Sequence, residues 1–132
     1  GKRLYRNDDL KFELKYPASF KAERWVVVGK GKVGIRFTGR ISERNIVVSV
    51  LASGWEGDQY MLCMCDVGPA DWVSGFLGGQ QAQFLPKSFF VLAEREGIYY
   101  SIKVFESGTY GRKVDTVSFT LFDELVSSFR FL

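Results

Sequence analysis

Two runs, SFFVLAE at residues 88–94 and IYYSIKVF at 98–105, flank Arg95-Glu96-Gly97. Both are rich in Phe, Tyr, Val and Ile, and Gly97 permits a tight reversal between them, so the stretch Ser88–Glu106 reads as a β-hairpin. In the second arm Ile98, Tyr100, Ile102 and Val104 fall on one face by the two-residue period of a strand. Tyr99, Ser101, Lys103 and Phe105 fall on the other. The first arm is apolar on both faces, which places the hairpin inside a sheet covered on both sides.

Other strands extend from this centre. Leu10, Phe12, Leu14 and Tyr16 alternate with Lys11, Glu13 and Lys15, the pattern of a half-buried strand, and Pro17 ends it because it has no N–H to donate. Trp25–Val28 and Val33–Phe37 flank Gly29-Lys-Gly-Lys32 as a second hairpin. The string Gly29-x-Gly31-x-x-Gly34 matches the dinucleotide fingerprint, but that motif needs a helix after it, and strand residues follow here. Asn45–Ala52 is almost continuously apolar, as in a central strand, and Tyr60–Val67 is a further strand-like run.

Two helices are expected. One opens at Gly68-Pro69, pairs Trp72 with Phe76 and Val73 with Leu77 at a spacing of four, and ends at Gly78-Gly79. Gln80–Lys87 then serves as a link. The other is capped by Thr120 with Asp123, follows a short strand at Asp115–Phe119, and carries Phe122, Leu125, Val126 and Phe129 on one side. With 132 residues, the chain is a single domain, 1–132, of α+β class. The expected architecture is a central antiparallel sheet with helices on both faces, an α-β-α sandwich.

The net charge of +3 is uneven: residues 1–44 carry +7 and residues 45–132 carry −4. The absence of His removes the commonest general base near neutral pH and the commonest zinc ligand. Cys63 and Cys65 have no further Cys or His to complete a metal site and read as small apolar residues of a strand. No cofactor motif survives. Glu56, Asp58, Asp66 and Asp71 form the densest acidic stretch, and two of them in one cleft could hydrolyse a glycan. Trp55 and Tyr60 lie beside those acids and are candidate contacts for a sugar or a protein partner. Trp72 reads as core. Lys30, Lys32, Arg36, Arg40 and Arg44, near Trp25 and Phe37, form a basic stretch with aromatic residues, the minimum signature for single-stranded nucleic acid. Lys30 and Lys32 are its candidate contacts.

Tyr5-Arg-Asn-Asp-Asp-Leu-Lys-Phe12, then Tyr16-Pro-Ala-Ser-Phe20, resembles the opening of PsbP-like proteins, and Phe122-Asp-Glu-Leu-Val-Ser-Ser-Phe-Arg-Phe131 resembles their closing helix and strand. The resemblance implies the same sandwich of helices about an antiparallel sheet. It also implies a largely non-enzymatic family of photosystem II subunits, a Ran-binding factor and bacterial envelope proteins. The metal-linked histidines of the photosynthetic members have no counterpart here. The function expected on these grounds is a non-enzymatic binding or assembly module of a bacterial cell envelope, with a protein or glycan partner. It would be exported, and held near a membrane by a signal or anchor preceding Gly1. A carboxylate-based hydrolase and a nucleic-acid-binding module are the alternatives.

Overall fold

The computed structural model describes residues 1–27, 32–54, 56, 59, 71–107 and 116–132. Ten strands run β1 Lys2–Asn7, β2 Phe12–Pro17, β3 Lys21–Val27, β4 Lys32–Ile41, β5 Arg44–Ser53, β6 Val73–Leu77, β7 Gln80–Leu85, β8 Phe90–Arg95, β9 Ile98–Glu106 and β10 Arg130–Phe131. The one long helix among the described residues is α1, Thr116–Ser128.

Seven strands form an antiparallel sheet in the order β3-β4-β5-β9-β8-β7-β6. The expected hairpin at its heart is present: β8 pairs β9 from Phe90↔Lys103 to Arg95↔Ile98. β9 is the middle strand, and β5 joins it to the meander β3-β4-β5 through Ile46↔Glu106 to Ser53↔Tyr99. Gly34, read as a turn-and-strand glycine, lies within β4 opposite Trp25 and Leu51, so strand follows the glycine string as expected.

A second, three-stranded sheet has the order β1-β2-β10. Its central strand is the alternating segment: Phe12, Leu14 and Tyr16 are buried while Lys15 is exposed. This small sheet and α1 lie side by side against one face of the large sheet, hereafter the inner face. That face supplies Ile35, Phe37, Val48, Val50, Val91, Ile102 and Val104 to a single apolar cluster with Phe12 and Leu14 of β2. Leu121, Phe122 and Leu125 of α1, and Phe129 just after it, complete the cluster, so the expected apolar side of the last helix is present. Phe12 stacks on Phe129 with centroids 5.4 Å apart. Ser128 Oγ takes over where β10 stops, accepting the Lys15 N–H at 2.9 Å.

Three expectations are corrected. The chain is not an α-β-α sandwich: 63% of the described residues are strand and 17% helical, in two antiparallel sheets with one long helix. The segment expected to form the earlier helix is instead a strand, β6, and the expected link is its partner β7, joined through Val73↔Phe84 to Leu77↔Gln80. Gly78 and Gly79, with φ of 58° and 87°, make the turn that folds β6 onto β7. Gly75 is what lets the pair close, since a Cβ there would sit 2.7 Å from the Phe84 ring. Finally, α1 spans Thr116–Ser128, so Phe119 and Thr120 belong to its body, not to a strand and a cap. Tyr60–Val67 lies outside the described residues.

Candidate functional site

The opposite, outer face of the large sheet differs in kind. Strand alternation places Ser49, Leu51 and Ser53 of β5, Tyr99, Ser101 and Lys103 of β9, Phe90, Leu92 and Glu94 of β8, and Gln81, Gln83 and Leu85 of β7 on this face. Its apolar part is the small cluster Leu85, Phe90 and Leu92, against which Trp72 and Tyr99 pack. Trp72 meets Phe90 edge-on with centroids 6.2 Å apart.

These residues frame a groove of about 490 Å³ over β7, β8 and β9, within the range of small-ligand sites. Leu92 lies in its floor, and Trp72 and Tyr99 are its aromatic walls. Gln81 and Gln83 project from β7, and the carboxylates of Glu56 and Glu94 stand at the rim. The Tyr99 phenol is pushed above its ordinary value, first by its hydrogen bond to Glu94, then by burial, then by the negative charges of Glu94 and Glu56. Glu94 is the cross-strand neighbour of Tyr99, and Glu56 lines the same groove. Across to the edge strand, Gln83 Nε2 donates to Ser74 Oγ at 3.5 Å.

Beside the groove, on the same outer face over β5 and β9, sits a buried polar knot. Gln59 is fully buried, and its side-chain amide donates to Tyr99 O at 3.0 Å and to Leu51 O and Ser53 Oγ at 3.2 Å each. Its carbonyl accepts from the Ser101 hydroxyl. The knot ties β5 to β9 and fixes the backbone from which Tyr99 projects. A buried amide with every polar atom engaged is costly to disturb, so this is a stiff support.

A second hollow, of about 540 Å³, lies where β1, β2 and α1 meet. Three cations, Lys2, Lys15 and Arg130, and three carboxylates, Glu13, Asp123 and Glu124, share it. The Lys2–Glu124 pair closes to 2.7 Å with both side chains over 40% exposed. Balanced, solvated charge of this kind selects no ligand.

The residues expected from sequence meet varied fates. Of the four acids, Glu56 lines the groove and Asp71 is exposed outside its lining, while Asp58 and Asp66 lie outside the described residues. Trp55, Tyr60, Lys30, Cys63 and Cys65 also lie outside them; Lys32 is placed only through its backbone in β4. Of the basic stretch, the structure describes the side chains of Arg36, Arg40 and Arg44. Arg36 and Arg40 lie on β4, away from the groove, Arg40 donates to Glu43 O at 3.2 Å, and Arg44 is paired with Glu106 at 2.6 Å. Trp72, expected in the core of a helix, is instead half-buried at the groove wall.

Sequence reasoning did not select Gln81, Gln83, Glu94 or Tyr99 as site residues. The only sequence trace of them is the polar alternation of Gln81 and Gln83 about Ala82, which is legible once Gln80–Leu85 is taken as a strand. No family model, curated protein or solved structure matches this chain.

Proposed function

We propose that this chain is a non-enzymatic binding module whose recognition surface is the groove on the outer face. The observation that supports it is the gathering of Trp72, Tyr99, Gln81, Gln83, Glu56 and Glu94 around one hollow on a stiff sheet. Aromatic walls offer contact area at small cost in side-chain entropy, and the amides and carboxylates offer directional hydrogen bonds. No Lys or Arg is among the described residues that line it. The surface therefore repels phosphates and suits neutral or cationic groups.

An extracytoplasmic setting belongs to the same proposal. Fractionation of cells expressing the native gene tests it.

The hydrolase reading draws on one observation, that Glu56 and Glu94 share the groove. A single experiment separates the two. The isotope-labelled protein is titrated by NMR with a mixed panel of oligosaccharides and peptides, and each bound compound is then assayed for cleavage. Binding is expected to move the signals of Gln81, Gln83 and Tyr99 and to leave the compound intact. Steady cleavage that disappears in Glu94→Gln or Glu56→Gln would replace the module with an enzyme. Signals that move only elsewhere on the molecule would displace the site.

A further inference from the structure

We propose that the groove takes an uncharged oligosaccharide laid across the strands, from Tyr99 on β9 toward Phe76 on β6. This inference rests on the reading of the outer face as the binding surface and names its ligand class.

The donor and acceptor pattern comes first. Gln81 and Gln83 stand two residues apart on one face of β7, about 7 Å along the strand, each offering an amide N–H pair and a carbonyl. Such a pair satisfies ring hydroxyls, which both donate and accept. The carboxylates of Glu56 and Glu94 only accept, and hydroxyl donors match them. Glu94 faces Tyr99 directly across the β8–β9 pair, so one side of its carboxylate is turned toward the protein. An exposed carboxylate in that position adds little to the binding of a cation through charge alone. The two amides both donate and accept, which favours a polyol over a basic peptide that can only donate through its cations. An acidic sugar would bring carboxylates that find no Lys or Arg among the described residues lining the groove, so a neutral sugar fits it better.

Length follows from the register. Phe76 is opposite Gln81 on the edge strand, on the same outer face, and remains 66% exposed. From β9 to β6 there are three strand spacings, about 14 Å in all. The aromatic surfaces therefore continue beyond the hollow itself, past what one ring can cover. Trp72 and Tyr99 both line the groove and pack against the same apolar cluster, which limits their motion before a sugar ring meets them.

The test uses the full chain, labelled for NMR, with four neutral hexasaccharides (of cellulose, chitin, xylan and starch type), their disaccharides, an oligogalacturonate and oligolysine. At least one neutral hexasaccharide is expected to move the side-chain amide signals of Gln81 and Gln83. Gln83→Ala should weaken that binding. Phe76→Ala should weaken the hexasaccharide roughly three- to tenfold and leave the disaccharide unchanged, the size of one lost aromatic contact. Silence with all four neutral sugars overturns the ligand class. Oligolysine moving these signals alone also overturns it and leaves the groove standing as a binding surface. Sugar binding that moves signals only outside the groove overturns both the ligand site and the reading beneath it.

Discussion

The two faces of the large sheet are built from the same strands and put to opposite uses. On β5, Val48 and Val50 point inward into a continuous apolar core, while Ser49 and Ser53, their sequence neighbours, point outward and are equally buried. On β9 the same split separates Ile102 and Val104 from Ser101. The inner face gains stability from area removed from water. The outer face gives up some of that area for polar groups, and through the paired Gln59 knot holds the backbone at Tyr99 in place. Alternation lets one strand serve both ends, because a substitution on one side leaves the other side's chemistry untouched.

That division is open to attack at several sizes of effect. The largest expected change is Phe12→Ala on the inner side. The ring is fully buried and stacked on Phe129, so denaturant unfolding should record a loss of about 3–5 kcal/mol. The amide signals of Gln81 and Gln83 should stay where they are in the folded fraction. Movement there would show that the faces are not separate.

Gln59→Ala comes next, at roughly 1–3 kcal/mol, because it strips partners from the Ser101 hydroxyl and the Tyr99 carbonyl. Unlike the core change it should also displace the Tyr99 ring, visible as altered NMR contacts between Tyr99 and Leu92. A stability loss with Tyr99 unmoved would remove the supporting role assigned to the buried knot.

The smallest effect has the opposite sign. Ser49 Oγ is buried with no hydrogen-bond partner, so Ser49→Ala should be neutral or stabilising by up to about 1 kcal/mol. A clear destabilisation would mean that this hydroxyl is engaged in solution.

Where sequence reasoning held, the signal was local and redundant. Of the alternating run Leu10–Tyr16, Phe12, Leu14 and Tyr16 are buried as expected, while Leu10 and Lys11 form a turn ahead of the strand and Leu10 is half-buried. The hairpin of β8 and β9 combines β-rich runs with a turn residue, and Phe122, Leu125 and Phe129 keep helical spacing. The failure at 72–77 has a physical cause. Trp72/Phe76 and Val73/Leu77 satisfy a spacing of four, while the competing two-residue pattern of Val73, Gly75 and Leu77 is muted because glycine has no side chain to show it. The deciding contact, Gly75 under Phe84, depends on a strand whose position is not encoded locally. This misreading also produced the sandwich, since a helix expected over the sheet became two more strands within it. The groove was hidden for a related reason. Glu56 was visible as one acid among several, but Tyr99 lies 40 residues from Gln59 in sequence and is brought to it only by the β5–β9 pairing.

The small sheet closes the chain's two ends on each other. β2 pairs with Arg130 and Phe131, and the Lys15 N–H reaches Ser128 across 113 positions. During translation β2 emerges early but finds its second neighbour only when residues 128–131 have left the ribosome. Until then one rim of a greasy strand has no cover and invites association with other nascent chains. Closing so long a loop is entropically slow, so the β2–β10 pairing is expected to form after the local hairpins of the large sheet.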